Sequence, residues 1–132
     1  MKSRFKPYPE YKDSGVEWLG DIPEGWEIHR VIACATVQPG FAFKSEQYVN
    51  EGMRILRGDN VSIGTTRWKD PVYWDEDLIG YDIRKFKLNV NDVVLGMTRT
   101  CIGDGVRCAI LDKEDVPALL NQRVARLVNR DN

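Results

Sequence analysis

The sequence predicts an α+β fold, a single sheet-dominated domain with short helices and long loops. Its 132 residues suit one domain. The apolar runs are short, rich in β-branched residues and separated by Gly, Pro, Asn and Asp, which is typical of strands. These runs do not alternate with long helical patterns, which argues against a doubly wound parallel sheet. An apolar share of 42% and a charged share of 30% argue against a disordered chain.

The beginning of the chain is predicted to be an N-terminal arm over residues 1–13, followed by one domain over residues 14–132. Two prolines in the arm push the residues that precede them toward extended geometry. Ser14 and Glu17 have the S-x-x-E spacing of a capping box, and Gly20 is suited to end a helix. We therefore predict a short helical turn directly after the arm.

The middle of the chain alternates apolar runs with turn residues. Residues 26–37 are predicted to begin as a strand and to pass into a short helix. Residues 53–63 read as strand, turn and strand around Gly58-Asp59-Asn60. Residues 64–82 are predicted to be a long loop with at most one helical turn. Loops of this length in a compact domain are often functional.

The second half of the chain contains the clearest strand patterns. Apolar residues alternate with polar ones over residues 84–90, which predicts a half-buried strand. The apolar runs 93–97 and 106–111 are predicted to pair as an antiparallel hairpin with an enlarged loop. Residues 115–120 are expected to form one helical turn, and residues 122–129 a closing strand.

The composition restricts the cell compartment and the class of partner. No stretch approaches the ~18 apolar residues of a membrane span, and the N-terminus lacks the apolar core of a signal peptide, so we expect a cytoplasmic protein with no membrane partner. Cys34, Cys101 and Cys108 form no CxxC pattern, so no disulfide framework or zinc site is predicted. The net charge of −1 is unlike that of an independent nucleic-acid binder, unless positive charge is concentrated locally or supplied by a partner.

The motifs of the common enzyme classes are missing. Phosphate-binding, nucleophile-elbow and zinc-protease patterns are not present, and His29 is the single histidine. The tetrapeptide DPVY (70–73) resembles the DPPY motif of amino-methyltransferases, but Val72 replaces the second proline. The acidic run 75–77 reads as a solvated loop rather than a nuclease site. We predict no catalytic residue, no metal and no cofactor.

One candidate site for DNA contacts is the tripeptide Thr98-Arg99-Thr100, which follows an apolar strand and precedes a Gly-rich turn. Arginine can donate two hydrogen bonds to guanine O6 and N7 in the major groove. Threonine can bond to bases or phosphates, or touch a thymine methyl. The alternative is that an arginine at a loop tip serves only solubility.

A second candidate is Arg67-Trp68-Lys69 in the long loop, where basic residues flank an aromatic one. Trp68 could stack on a base, act as a wedge or hold the loop on the domain, and the last role is the commonest. Further basic residues complete a possible set of phosphate contacts: Arg57, Arg84, Lys85 and Lys44.

Four segments together resemble the specificity subunits of type I restriction-modification systems. They are YKDSGVEWLGDIPEGWE (11–27), QPGFAFKSEQYVNEGMRILRGDNV (38–61), DVVLGMTRTCIGDGVRCAIL (92–111) and PALLNQRVARL (117–127). The resemblance covers nearly the whole chain. The combination of the opening segment with the LLNQRV ending is specific.

The resemblance implies a target-recognition domain that reads one half of a bipartite site in double-stranded DNA and is not itself an enzyme. Specificity subunits of this kind carry two such domains, separated by helices that bind the modification (methyltransferase) subunits, and a restriction motor subunit joins through them. We expect this chain to correspond to the first domain, without the spacer helix and the second domain. Two alternatives remain open: an interaction module that modulates a restriction complex, and a DNA methyltransferase or nuclease.

Overall fold

A computed structural model describes residues 6–130 of the chain, so the first residues of the predicted arm lie outside the described part. The chain divides into a smaller unit that ends at Cys34 and a larger unit that begins at Ala35. Strands outnumber helices, and the two α-helices span four residues each. The predicted α+β class, dominated by strands and with short helices, is confirmed.

The smaller unit contains an antiparallel hairpin of β1 (Tyr11–Asp13) and β2 (Asp21–Pro23). The last three residues of the predicted arm are therefore in a strand. The segment that joins the strands is a hydrogen-bonded turn that ends at Gly20, whose φ of +71° suits glycine. The Ser14 hydroxyl bonds to the backbone of Val16, so the predicted capping box with Glu17 does not form.

Helix α1 (Val31–Cys34) ends the smaller unit, and strand β3 (Ala35–Pro39) begins the larger one. The predicted order of strand and then helix over residues 26–37 is therefore wrong. Val31 and Ile32 are β-branched and favour strands, yet they lie in α1, so local preference did not decide the order.

The larger unit is built from strands that are two to six residues long. After β3 they are β4 (Met53–Leu56), β5 (Tyr73–Trp74), β6 (Val93–Gly96), β7 (Cys101–Ile102), β8 (Gly105–Val106), β9 (Cys108–Ile110), β10 (Ala118–Leu120) and β11 (Val124–Asn129). One helix, α2 (Tyr81–Arg84), lies between β5 and β6. Strands β3, β11, β6 and β9 form an antiparallel sheet in that order. A second sheet has the order β10, β4, β5.

Strands β4 and β10 are parallel and lie between two apolar clusters. Ile55 and Leu119 belong to the cluster that contains Trp74. Leu56 and Leu120 belong to the cluster that contains residues of the antiparallel sheet, such as Val94. A strand that is buried on both faces reads as a continuous apolar run and cannot be told from a buried helix by period. This ambiguity explains why the helical turn predicted over residues 115–120 is wrong.

The predictions for the other strands had mixed outcomes. The antiparallel hairpin with an enlarged loop is confirmed as β6 and β9, and its loop contains the small hairpin of β7 and β8. The closing strand is confirmed as β11. The strand predicted over residues 84–90 is wrong, because α2 ends at Arg84 and only Lys87 forms a bridge, to Leu119. The alternation there reflects burial of Phe86 and Leu88 beside β10 and not membership of a sheet.

The segments around Gly58 and Trp74 also differ from the prediction. A 3-10 turn spans Gly58–Asn60 after β4, as the turn residues indicated, but Val61 then forms only an isolated bridge to Thr66. The predicted long loop over residues 64–82 contains strand β5 and a 3-10 turn at Glu76–Leu78. The loop is therefore shorter than the sequence suggested.

Arg126 on β11 joins several segments of the larger unit. Its guanidinium donates to the Gln38 side chain at 3.1 and 2.8 Å and forms an ion pair with Asp92 at 3.1 Å. It also donates to the carbonyl oxygens of Lys85 and Lys87 at 2.8 and 2.9 Å. These bonds hold the chain that follows α2 against the antiparallel sheet.

Candidate functional site

The larger unit has a cleft of about 610 Å³ between loops that follow its strands. Segments 57–62, 98–102 and 121–123 contribute to its wall. Its charge is strongly positive, because five arginines but only one carboxylate, that of Asp59, occur among the described residues that line it. The arginines are Arg57, Arg67, Arg99, Arg107 and Arg123.

Arg107 is the most deeply buried of these arginines, with 8% of its surface exposed. Its Nε donates to the Val61 carbonyl at 3.0 Å, and its Nη1 donates to the Thr98 carbonyl. Its backbone N–H donates to the Thr100 carbonyl at 2.7 Å, and its own carbonyl accepts from the Gly96 N–H at 2.8 Å. Arg107 thus joins the segment after β4 to the segment after β6.

The sequence analysis missed Arg107, although a signal was present. Arg107, Ala109 and Leu111 stand at alternate positions, and all three are buried. An arginine on the apolar face of a strand needs backbone or side-chain acceptors, since an unpaired guanidinium is costly to bury. The alternation could therefore have singled out Arg107 as a built-in structural cation.

Asn60 holds the backbone of two other cleft arginines, Arg57 and Arg67, in place. Its side-chain oxygen accepts from the Arg57 N–H at 2.9 Å, and its side-chain nitrogen donates to the Arg67 carbonyl at 2.9 Å. The Arg67 N–H donates in return to the Asn60 carbonyl at 2.7 Å. The Arg57 guanidinium donates to the Asp70 carbonyl at 2.8 Å. Asn60 itself is 1% exposed, so this network lies inside the cleft wall.

The predicted tripeptide 98–100 forms a tight turn beside the cleft. Arg99 has a φ of +52°, a left-handed conformation, and its side chain is exposed. The Thr100 hydroxyl donates to the Gly96 carbonyl at 2.7 Å and so supports the turn. Thr98 and Arg99 line the cleft, whereas Thr100 does not.

The second predicted motif is divided by the structure. Arg67 lines the cleft, but Trp68 packs against the apolar core of the larger unit. The Trp68 indole N–H donates to the Asp115 carboxylate at 2.9 Å, and the Arg54 guanidinium lies 4.0 Å above the centre of the ring. This arrangement matches the role of holding the loop on the domain. Lys69 is exposed outside the cleft.

Asp115 is a buried carboxylate with several donors. Burial would raise its pKa, but hydrogen bonds from Thr66, the Asp112 backbone and Trp68 outweigh this effect. The positive charge of Arg54 acts in the same direction. The net result is a pKa below the ordinary value for aspartate, so the group is charged near neutral pH.

The remaining predicted residues do not line the cleft. Arg84 is the last residue of α2, and Lys85 Nζ lies 5.2 Å from the centre of the Phe86 ring. Lys44 precedes the 3-10 turn Ser45–Gln47. The structure therefore brings together Arg57, Arg67, Thr98 and Arg99, and not the other predicted residues. Arg123 was missed together with Arg107, because its loop between β10 and β11 was read as part of the closing strand.

Among residues 6–130, no group of three or more His, Cys, Asp and Glu side chains is arranged to hold a metal ion. His29 lies 3.0 Å from Glu27, and both are exposed. In the acidic run, the Asp75 side chain accepts from the Asp77 N–H at 2.9 Å, which caps a 3-10 turn. Within the same described range, no helix has the length and apolar character needed to cross a bilayer.

The chemistry of the cleft suits an extended anion. Guanidinium groups bond phosphate oxygens and carboxylates through two parallel N–H donors, and they bond the major-groove edge of guanine in the same way. Apart from the carbonyl contacts of Arg57 and Arg107, the cleft guanidiniums have no hydrogen-bond partner among the described residues. The fold and the cleft thus define a small α+β domain that presents arginines on the segments between its strands.

The amino-acid sequence is similar to those of known proteins. No protein-family model matches the sequence. The chain is 40% identical over 127 residues to the type I restriction enzyme EcoAI specificity subunit of Escherichia coli, a match that covers 96% of this chain and 21% of that protein. It is 33% identical over 129 residues to the type I restriction enzyme MjaVIII specificity subunit of Methanocaldococcus jannaschii, covering 97% of this chain and 30% of that protein.

The predicted resemblance is confirmed: over nearly its whole length, the chain is related to type I restriction enzyme specificity subunits. The chain spans less than a third of the length of each of these curated relatives.

Proposed function

We propose that this chain reads sequence in double-stranded DNA as a target-recognition domain of a type I restriction-modification specificity subunit. In this role it recognises one half of a bipartite site and directs methylation and restriction, carried out by partner subunits, to that site. The observation that carries the proposal is the cleft with its five arginines, in a chain related to specificity subunits.

The cleft arginines differ in how free they are to contact DNA. The guanidiniums of Arg57 and Arg107 already donate to backbone carbonyls. The side chains of Arg67, Arg99 and Arg123 have no such bond within the described residues. Contacts to phosphates position a protein on DNA, whereas contacts to base edges specify sequence. We assign base contacts first to Arg99, because it stands at the tip of a turn, and phosphate contacts to Arg67 and Arg123.

The low net charge fits a domain that works inside a larger complex. Phosphate contacts supply a large share of the affinity of DNA-binding proteins, and a chain with a net charge of −1 lacks the overall basicity of an independent DNA binder. We propose that modification subunits supply the remaining contacts and the methyl transfer, and that the restriction motor subunit joins through them in the cytoplasm. The chain itself is then non-catalytic, and residues 14–132 form the recognition domain.

A domain graft tests the proposal. Residues 1–132 replace the first recognition domain of a complete specificity subunit, the modification subunits are coexpressed, and methylated bases are mapped across the host genome. We expect a new bipartite motif that differs from the recipient's motif in one half only. Persistence of the recipient's motif, or an assembled complex that methylates nothing, would contradict the proposal.

A second candidate function is a non-catalytic interaction module that modulates a restriction complex. The smaller unit favours it, because Trp18, Trp26 and Ile32 are more than half exposed. Exposed apolar side chains mark contact surfaces between proteins where they form one contiguous patch. This function predicts that the chain copurifies with intact modification subunits in the absence of DNA and that the graft leaves the motif unchanged.

A further inference from the structure

We infer that Arg107 is a positioning residue, which holds the turn that presents Arg99 to DNA and thereby sets sequence preference. This inference rests on the proposed function. It assigns to a buried arginine a role in specificity that is separate from the general attraction of the cleft for phosphate.

The first argument is the energetic cost of burying this guanidinium. A charged group that leaves water must regain its hydrogen bonds, and an apolar side chain of similar size is often as stabilising at such a site. Among residues 6–130, the ion pairs join His29 to Glu27 and Arg126 to Asp92, so no described carboxylate pairs with Arg107. Packing alone therefore does not account for an arginine at this position.

The second argument is which atoms the guanidinium joins. Its acceptors are the carbonyl of Val61, directly after the 3-10 turn Gly58–Asn60, and the carbonyl of Thr98, directly before Arg99. The Arg107 N–H also holds the carbonyl of Thr100, directly after Arg99. Both neighbours of Arg99 are thus fixed by one residue, and that residue connects them to the opposite segment of the cleft wall.

The third argument is the conformation that must be held. Arg99 has a left-handed backbone, which is unfavourable for a residue with a Cβ and persists only when neighbouring bonds impose it. Gly96 completes the arrangement, because a Cβ there would lie 3.1 Å from the guanidinium carbon of Arg107. The carbonyl of Gly96 also accepts from the Thr100 hydroxyl. Gly96, Arg107 and Thr100 form one support for the turn.

The consequence is that loss of charge and loss of position have different effects. Sequence discrimination by a bidentate arginine requires the fork to meet the base edge at a set angle, and a loosened turn loses that angle. Arg123 offers a matched control, since it lines the same cleft and its side chain donates no hydrogen bond to a described residue. Its removal subtracts charge from the cleft and leaves the turn in place.

The experiment compares Arg107→Met and Arg107→Lys with Arg123→Met and Arg123→Lys in the grafted complex. Methylation rates are measured on the target duplex and on duplexes with single base-pair changes in the half-site. Discrimination is the methylation rate on the target duplex divided by the rate on a changed duplex. We expect both Arg107 variants to lower this ratio about tenfold, because lysine keeps the charge but cannot reproduce the planar fork. Arg123→Met should slow all duplexes alike, and Arg123→Lys should restore the rate.

Hydrogen exchange on the purified 132-residue chain provides a readout that does not depend on DNA. The amide of residue 107 donates to the Thr100 carbonyl, and the Met97 amide, at the start of the turn, donates to the Arg123 carbonyl. In Arg107→Met, both amides should exchange at least about tenfold faster, while the β11 amides keep their protection. Unchanged exchange at both amides, or full discrimination by Arg107→Lys, would overturn the inference. If the unmodified graft shows no new half-site, the proposed function fails, and the exchange result still decides whether Arg107 holds the turn.

Discussion

Asn60 and Arg67 exchange two hydrogen bonds, one from the Arg67 N–H to the Asn60 carbonyl and one from the Asn60 side chain to the Arg67 carbonyl. The same side chain accepts from the Arg57 N–H, so one buried amide fixes the backbone of two cleft arginines. The Asn60 amide is uncharged, but by holding the backbone of Arg57 and Arg67 it limits the positions that their guanidinium groups can reach in the cleft.

Replacement of Asn60 should therefore destabilise the larger unit. Asn60→Ala leaves the Arg57 N–H and the Arg67 carbonyl without their partners, which costs about 2–3 kcal/mol of the free energy of unfolding. Urea denaturation followed by tryptophan fluorescence measures this cost. Asn89→Ala is the control, because Asn89 is exposed and its side chain has no hydrogen bond among residues 6–130, so a change within about 0.5 kcal/mol is expected. Equal effects of the two substitutions would contradict the role given to Asn60.

The carboxylate of Asp115 should make stability depend on pH in the acidic range. Its pKa is lowered in the folded protein, so its contribution is fully present above the unfolded value of about 3.9 and is lost as the pH falls through the lower folded value. The midpoint temperature of thermal unfolding of the wild type should therefore fall steeply below about pH 4. Asp115→Asn removes the charge, so its midpoint should be lower at pH 7 and should fall less on acidification. Parallel curves for the two proteins would show that Asp115 is not responsible.

Trp68 should contribute to stability more than to DNA contact. Trp68→Ala removes the ring beneath the Arg54 guanidinium and the donor to Asp115, and we expect a loss of about 2–4 kcal/mol of the free energy of unfolding. Trp18→Ala, at a residue that is 84% exposed, should have little effect. Thermal or urea unfolding of the purified chain distinguishes the two. A stable Trp68→Ala protein whose grafted complex lost its target would instead assign Trp68 to base stacking.

Arg99 should be required for recognition by the grafted complex. Arg99→Ala removes a donor pair worth about 1–3 kcal/mol, so methylation of the target should fall about 5- to 150-fold while the unfolding midpoint stays close to that of the wild type. Arg84→Ala is the matched control, since Arg84 is an exposed arginine on α2 outside the cleft. We expect its rate to stay within about twofold of the wild-type rate. Similar losses in both variants would argue that charge alone, and not the cleft, governs binding.

The sequence was most informative for three strands of the antiparallel sheet, which follow short apolar runs bounded by turn residues. Strands β6 and β9 were predicted from such runs with the correct antiparallel pairing, and β11 was predicted as the closing strand. Strand β10 was missed because its partner β4 begins 65 residues earlier and both faces are covered. Such pairing depends on contacts between distant segments, which local patterns do not contain.

The candidate site was predicted only where its residues stand beside turns or in the predicted long loop. Arg57, Thr98 and Arg99 were singled out beside turn residues, and Arg67 because it flanks Trp68 in the long loop. Arg107 and Arg123 were missed because their place in the cleft depends on how β9, β10 and β11 are arranged in space. Trp68 shows the reverse case: its basic neighbours suggested DNA contact, while a distant partner, Asp115, determines where the ring packs.

Strands β4 and β10 run in parallel, so the segments that follow them, 57–62 and 121–123, both leave from the carboxyl ends of the strands, on the same side of a buried sheet. Most residues of these segments lie outside the two apolar clusters, but Val61 belongs to one of them, and Asn60 and Asn121 are buried. Substitutions at the other positions of these segments can therefore reshape the cleft without disturbing the core. A domain of this kind separates an inherited frame from an exchangeable surface, so that a new specificity can evolve by changing a few loop residues on an unaltered scaffold.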